Sequence, residues 1–250
     1  MLDKDKLIEI LIKHPDPWKR AEAALTLGEL GYEKALKPMI YLLEHDEHDF
    51  VRRDCAEGLG LLEMKEALDP LIKSMKNDPF RYVRNEAAEA LGKIGDVRAK
   101  NALLEFMKNE EWEFARASAA LALVDLGVKE ALPDILTQIQ IEEEDYVRRD
   151  MLRAIKKFRD ISCLPVVIIL AKDDPSWEVR KKAAEVLGWL PSQITITTLI
   201  ELVKSDAHLQ VRQQAEHSLQ VISKDYKLTW TTPEAMMINI QKFPNIEIIN

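Results

Sequence analysis

The chain has 250 residues, of which 47% are hydrophobic and 31% charged, and its formal net charge is −8. This acidic balance argues against general affinity for nucleic acid or anionic membranes, because phosphate binding depends on accumulated Lys and Arg. No stretch approaches the roughly 18 to 20 consecutive apolar residues of a membrane span, and the first residues lack a signal-peptide pattern. We therefore expect a cytoplasmic protein without a membrane partner, monomeric by default.

An internal repeat organises most of the sequence. Arginine recurs every 32 residues without an insertion, at Arg20, Arg52, Arg84, Arg116, Arg148, Arg180 and Arg212. A fixed period of this size is typical of solenoids, in which each unit buries its apolar face against its neighbours. We predict one repeat solenoid domain over residues 1–222 and a tail of different composition over residues 223–250.

Each repeat has the pattern of two amphipathic helices. In the third repeat, Val83, Ala87, Leu91 and Ile94 share one face of a helix that contains the repeat arginine and ends at a glycine. We call this type of helix the arginine helix. Residues 67–76 show the pattern of the other type, with Pro70 in the first turn, where a proline costs no hydrogen bond.

Glycine and acidic residues recur in register with the arginine. Glycine stands eight residues after it at Gly28, Gly60, Gly92 and Gly188, inside a helix where it ordinarily costs about 1 kcal/mol, so we predict close packing on a neighbouring helix. An acidic residue stands six residues before it at Asp46, Asp78, Glu110, Glu142, Asp174 and Asp206. We predict that these carboxylates accept hydrogen bonds from helix N-terminal amides and pair with an arginine of their own or the next repeat.

The motif Asp-x5-Arg followed by Ala-Ala-x2-Leu-Gly, as in residues 78–92 and 174–188, resembles a HEAT repeat. Within that family it looks like the short prokaryotic subgroup named after phycobilisome lyases, and the resemblance covers almost the whole chain. It implies an all-α, right-handed α-solenoid (superhelix) of seven 32-residue helical hairpins, with the arginine helices on the concave side. The motif is nearly silent on function, because members include scaffolds, lyases, hydroxylases and DNA glycosylases.

Aromatic residues mark the main candidate binding surface. Two residues before the arginine, the sequence places Trp18, Phe50, Tyr82, Phe114 and Tyr146, and then Glu178 and Gln210. One interpretation is that these rings cap the turn between helices and pack on the preceding hairpin. The other is a stacking ladder for a partner, because Trp and Tyr are frequent anchors of protein recognition.

The rest of the predicted groove is unevenly charged. Repeats two and three place Arg53, Asp54, Glu57, Glu86 and Glu89 there, and repeat four places Ala117, Ser118 and Leu121, an almost uncharged centre. Repeats five and six give a predominantly basic end with Arg149, Arg153, Trp177 and Lys181. We expect the partner to be another protein or a peptide segment, and we expect an acidic segment to prefer the basic end.

The sequence predicts no catalytic, cofactor or metal site. The segment around His45 and His48 offers ligand atoms, but it lies in an inter-helix turn, and we interpret it as a solvated acidic turn rather than a zinc site. HEAT-like hydroxylases carry His-Glu pairs on their inner helices, and the equivalent pairs here contain no histidine. Cys55 and Cys163 align with alanines of other repeats and are predicted to be small core residues.

We predict a non-enzymatic protein-binding scaffold or adaptor that uses the concave face of its arginine helices. The alternative implied by the family resemblance is a tetrapyrrole lyase or chaperone-type lyase subunit, whose chromophore Tyr82, Phe114, Tyr146, Arg149 and Arg153 would hold. Nucleic-acid binding through repeats five and six ranks third and is disfavoured. The tail most simply caps the last hairpin, and its alternative role is to dock in a groove.

Overall fold

The computed structural model describes residues 3–225, and these residues contain α-helices and short 3-10 turns but no β-strand. The helices are α1 (Lys4–Lys13), α2 (Pro17–Glu29), α3 (Leu36–His45), α4 (Asp49–Leu62), α5 (Leu68–Asn77), α6 (Arg81–Ile94), α7 (Lys100–Asn109), α8 (Glu113–Asp125), α9 (Leu132–Ile141), α10 (Asp145–Ile155), α11 (Leu164–Asp173), α12 (Trp177–Leu187), α13 (Gln193–Ser205) and α14 (Leu209–Asp225). The predicted all-α solenoid of helical hairpins is confirmed. Its handedness stays a prediction.

The chain divides into two compact units, Met1–Ala131 and Leu132–Asn250. In the described residues, unit 1 contains α1 to α8 and unit 2 contains α9 to α14. The predicted tail begins inside α14, which continues to Asp225, and residues 226–250 lie outside the described residues. Whether the tail caps the last hairpin or docks in a groove therefore stays a prediction.

The helices of each unit form two layers with the core between them. The arginine helices pack side by side, α2 on α4, α4 on α6 and α6 on α8 in unit 1, and α10 on α12 and α12 on α14 in unit 2. Each odd-numbered helix packs on the arginine helix that follows it. The residue seven positions after the repeat arginine points into the core and is buried in every case: Leu27, Leu59, Leu91, Leu123, Ile155, Leu187 and Leu219.

The repeated glycines let neighbouring arginine helices approach closely. A Cβ atom placed on Gly60 would lie 2.9 Å from the Cα atom of Ala90, and one on Gly92 would lie 2.9 Å from the Cα atom of Ala122. Gly28 has the same relation to Gly58, at 2.7 Å. The predicted close packing is confirmed. We call the layer of arginine helices the inner layer.

In repeats one, two, three, five and six, the repeat arginine bridges its own repeat and the following one. Its Nη1 atom donates to a backbone carbonyl of its own inter-helix turn, as from Arg52 to Asp46 at 2.8 Å. Its Nε and Nη2 atoms donate to the two oxygens of one carboxylate in the following repeat, as from Arg52 to Asp78 at 2.7 and 3.0 Å. Corresponding bidentate pairs join Arg20 to Asp46, Arg84 to Glu110, Arg148 to Asp174, and Arg180 to Asp206.

The sequence-based assignment of the pairing direction was wrong, because each carboxylate pairs with the arginine of the preceding repeat rather than its own or the next. The arginine of its own repeat binds the carbonyl of the acidic residue instead, which directs the remaining N–H groups to the next hairpin. The predicted amide contact is confirmed, since the backbone N–H of Phe80 donates to Asp78 Oδ1 at 2.9 Å. One carboxylate thus joins an inter-helix turn to the preceding repeat.

The two cysteines are buried and not disulfide-bonded, as their alignment with alanines predicts. Burial raises the pKa of both thiols, that of Cys163 to about 12. Neither thiol is therefore set up as a nucleophile, because the thiolate is the reactive form.

We predict that the Arg52→Met variant loses about 3 kcal/mol of unfolding free energy, because the change leaves a nearly buried carboxylate and a turn carbonyl without their donors. The side chains of Arg52 and Asp78 are only 9% and 6% exposed. Chemical denaturation followed by circular dichroism measures the loss.

The matched control is Lys73→Met, which removes an exposed ion pair with Glu44 at 2.8 Å and should cost less than about 1 kcal/mol. Equal losses for the two variants would show that the arginine bridge contributes no more than a surface ion pair.

Candidate functional site

Five aromatic rings, which we call the aromatic ladder, lie at the N-terminal ends of the arginine helices of unit 1. They are Trp18, Phe50, Tyr82, Trp112 and Phe114. Trp18 stacks on Phe50 with ring centroids 4.3 Å apart. Trp112 contacts both Tyr82, at 4.9 Å, and Phe114, at 5.6 Å. The fixed 32-residue period places Trp18, Phe50, Tyr82 and Phe114 at equivalent positions of successive hairpins. The contacts of Trp18 with Phe50 and of Tyr82 with Trp112 cross the repeat boundary.

The ladder has structural features of both interpretations that the sequence left open. The rings pack between hairpins, as a structural cap would, but Trp18, Tyr82 and Phe114 remain 68%, 50% and 47% exposed. Phe50 is half-buried. Rings that served only as caps would be covered, so the ladder offers apolar and aromatic contact area to a partner.

Trp112 is a member of the ladder that the sequence analysis missed. It stands four residues before Arg116, at the position that precedes the arginine helix, where other repeats carry residues as different as Asp16 and Ser176. The fold shows that Trp112 faces Tyr82, which stands two residues before the arginine of the preceding repeat. The sequence gives no sign of this contact. A guanidinium joins the same cluster, since the Cζ atom of Arg81 lies 5.1 Å from the Tyr82 ring and 4.8 Å from that of Trp112.

An acidic cluster lies on the inner layer of unit 1, and Glu86 is its central residue. Its side chain is only partly exposed, and Lys93 Nζ lies 3.8 Å from its carboxylate. Burial, reinforced by the neighbouring carboxylates of Glu89 and Glu57, raises the pKa of Glu86 to about 7. Glu89 accepts a hydrogen bond from Ser118 at 2.9 Å. This part of the inner layer therefore favours protons or cationic groups.

Some inner-layer positions predicted to be exposed are buried. Asp54, Ala117 and Ser118 are almost completely covered, and Ser118 donates a hydrogen bond to Glu89 of the preceding arginine helix. The carboxylate of Asp54 also pairs with Arg53, whose Nε donates to it at 2.7 Å. The uncharged centre predicted in repeat four is thus narrower than expected, and Leu121, which is half-buried, remains its accessible apolar residue.

One of the predicted basic residues of unit 2, Lys181, lies beside a second aromatic pair. Trp177 stacks on His208 of the following repeat at 4.1 Å, and Lys181 Nζ lies 5.9 Å from the Trp177 ring. Arg153 is exposed, whereas Tyr146 and Arg149 are half-buried, and Arg149 Nε lies 3.9 Å from a carboxylate oxygen of Asp150. His208 was not predicted, because a lone histidine in a turn gives no signal of stacking.

The described residues provide no arrangement for metal chemistry. Between residues 3 and 225 no three His, Cys, Asp or Glu side chains are placed to hold a metal ion. In the segment considered for zinc, His45 Nδ1 lies 2.8 Å from the carbonyl oxygen of Tyr41, and Asp46 is held by Arg20. Over the same part of the chain, none of the helices has the length and apolar character needed to cross a bilayer.

Family models of HEAT repeats match residues 5–91, 40–124, 68–156 and 132–220. The chain belongs to the HEAT-repeat family. A comparison with curated protein sequences finds no match. The family assignment confirms the resemblance inferred from the Asp-x5-Arg motif.

Solved structures with a similar fold include other HEAT-like solenoids. The complex of CpcE and CpcF of phycocyanin lyase from Nostoc sp. PCC7120 matches with a TM-score of 0.57 and 19% identity over 97% of this chain and 94% of that chain. YibA from Escherichia coli matches with a TM-score of 0.61 and 19% identity over 96% and 92%. Karyopherin Kap121p, bound to the extreme C-terminus of the protein phosphatase Cdc14p, matches with a TM-score of 0.63 and 16% identity over 88% of this chain and 29% of the karyopherin. At these identities the similarity shows the fold alone.

We predict that Glu86→Gln stabilises the protein at pH 8 by on the order of 2 kcal/mol and has little effect near pH 4. The pKa of Glu86 is raised from 4.5 to about 7, so the folded state holds a proton that the unfolded chain releases, and stability falls as the pH rises through this interval. Glutamine resembles the protonated form at every pH. Thermal denaturation between pH 4 and pH 8 measures the difference.

Glu22 occupies the equivalent position in the first repeat and is exposed, so Glu22→Gln is the matched control. If the two variants show the same pH dependence, Glu86 is not destabilised by its surroundings.

Proposed function

We propose that this HEAT-repeat protein is a non-enzymatic scaffold or adaptor that binds another protein on the inner layer of its arginine helices. The aromatic ladder is the observation that supports the proposal most directly. Trp18, Tyr82 and Phe114 leave about half or more of their surface exposed in a fixed register, and Trp and Tyr are typical anchors of protein recognition. Two of the proteins with the same fold are described in complexes with protein partners, CpcE with CpcF and Kap121p with the C-terminus of Cdc14p.

The distribution of charge supports a partner that is acidic where it meets unit 2. Arg149, Arg153 and Lys181 provide positive charge in unit 2, with Lys181 beside Trp177, whereas the inner layer of unit 1 carries the acidic cluster around Glu86. Charge complementarity of this kind mainly affects specificity and the rate of association. We propose an acidic protein segment as the part of the partner that meets the basic residues.

The triple variant Trp18→Ala, Tyr82→Ala, Phe114→Ala is expected to lose the partner while it remains folded. Anchors of this kind each contribute about 2 kcal/mol or more to binding, whereas each ring contact contributes about 0.5 to 1.5 kcal/mol to stability. Affinity capture from native lysate followed by mass spectrometry compares the variant with the wild type, and circular dichroism shows whether it is folded.

The matched control is Ile12→Ala combined with Tyr41→Ala, which removes exposed apolar side chains from α1 and α3 in the other layer. The control should retain the partner that the triple variant loses. Equal recovery by the triple variant and the wild type would refute a binding site on the aromatic ladder. A visible chromophore that elutes with the wild type would instead favour the tetrapyrrole lyase.

A further inference from the structure

The fifth repeat carries cations at two positions where other repeats carry glycine. Lys156 stands eight residues after Arg148, the position of Gly60 and Gly92. Arg159 stands eleven residues after it, the position of Gly31, Gly95 and Gly127. Two glycine positions that serve backbone geometry in other repeats therefore carry long basic side chains in this repeat.

The local structure of unit 2 differs from that of unit 1 at this point. Helix α10 ends at Ile155, earlier than the corresponding helices α4 and α6, and continues as a 3-10 turn, Lys156–Phe158. A cavity of about 200 Å³ lies next to this turn, against the end of α12 and the middle of α14. Lys156, Glu185, Trp189 and His217 are among the residues that line it.

Both cations converge on Trp189. The Nζ atom of Lys156 lies 4.8 Å and the Cζ atom of Arg159 lies 4.7 Å from the centroid of its ring. Lys156 and Lys182 also share the carboxylate of Glu185, at 2.7 and 2.5 Å. Within residues 3–225, Arg159 forms neither a hydrogen bond nor an ion pair, and its side chain is exposed. The cluster thus has two lysines that share one carboxylate, and the guanidinium of Arg159 lies over the Trp189 ring and is available.

Backbone strain gives a second indication. Arg159 has a φ of 48°, in the left-handed region that glycine occupies at Gly95 and Gly127 and that other residues adopt only under strain. Glu63 stands at the same repeat position with a φ of 52°, so strain alone does not mark a site. Arg159 differs from Glu63 because its side chain joins a second cation at an aromatic ring beside a cavity.

We propose that the cavity beside Trp189 seats an acidic side chain of the partner protein, with its methylene groups against the Trp189 ring. Its carboxylate is held by Lys156, which lines the cavity, and by Arg159, which lies over the Trp189 ring outside that lining. Charge-assisted pairing of a carboxylate with a guanidinium is among the stronger polar interactions in proteins. The proposal deepens the proposed function and rests on it, because it assigns the acidic segment of the partner to one defined position in unit 2.

A separate protein chain fits this site better than the other occupants. Residues 226–250 of the chain itself contain two lysines and two glutamates, so they have no excess of acidic side chains. A nucleic acid carries a phosphate at every nucleotide, whereas a protein segment can place a single acidic side chain beside Trp189. A cavity of about 200 Å³ also suits a single side chain.

The test measures binding of a fluorescein-labelled poly-glutamate peptide to the full chain by fluorescence anisotropy. We expect the wild type to bind the peptide and Arg159→Gly to bind it about tenfold more weakly, because the variant loses one charge-assisted contact. Arg159→Gly restores the glycine of the other repeats and relieves the left-handed strain, so its melting temperature should be equal or higher. Weaker binding therefore could not be attributed to unfolding.

Lys172→Gln is the matched control, since it removes one positive charge from α11 in the other layer of unit 2, where Lys172 pairs with Glu201. It should bind the peptide as the wild type does. No binding to the wild type, or equal binding to Arg159→Gly, would overturn the proposal. So would an oligothymidylate that binds more tightly than poly-glutamate and is lost in Arg159→Gly, because the site would then bind nucleic acid.

The outcomes separate this proposal from the adaptor function. The triple alanine variant of the aromatic ladder retains Lys156, Arg159 and Trp189, so it should still bind poly-glutamate even when it no longer captures the partner. Conversely, poly-glutamate that binds the wild type and Arg159→Gly equally would refute the carboxylate site and leave the aromatic ladder as a partner-binding surface.

Discussion

The bidentate pair between the arginine of one repeat and the carboxylate of the next is the interaction on which the rest of the structure depends. In the pair of Arg52 with Asp78, the guanidinium also holds the turn of its own repeat, and the carboxylate also holds the turn that begins α6. The guanidinium of Arg52, the carboxylate of Asp78, the carbonyl of Asp46 and the N–H of Phe80 thus all find hydrogen-bond partners near the core. Because the bond is bidentate, it fixes orientation as well as distance between successive hairpins.

The fixed orientation of successive hairpins determines which side chains of the inner layer meet. Residues two positions before the arginine lie next to the bridged turn, so rings such as Trp18 and Phe50 meet across the repeat boundary. The closely packed glycines hold neighbouring arginine helices together at Gly60 and Gly92, farther along the same helices. In the fifth repeat Lys156 stands at this glycine position, and a cavity lies beside it. The binding surfaces are thus consequences of how repeats are joined.

The sequence predicted what depends on periodicity and missed what depends on the relation between hairpins. The 32-residue spacing was sufficient to predict the helix pairs, the core and the close packing at Gly92, because each follows from local pattern. The sequence of one repeat does not show which residue of the next repeat a side chain faces. Three findings depend on that information: the pairing direction of the arginines, the burial of Ser118 and the contacts of Trp112 with the other rings. Arg159 could have been noticed as an exception to a glycine position, but its contact with Trp189 requires the fold.

A double-mutant cycle on Arg148 and Asp174 tests most directly whether these pairs hold the repeats together. The pair is bidentate, at 2.8 and 2.9 Å, and both side chains are nearly buried. The cycle compares Arg148→Met, Asp174→Leu and the double variant by chemical denaturation, which cancels contacts that each residue makes elsewhere. We predict a coupling free energy of about 2 kcal/mol or more. Single effects that add to within about 0.5 kcal/mol would contradict the account, because the two side chains would then act independently.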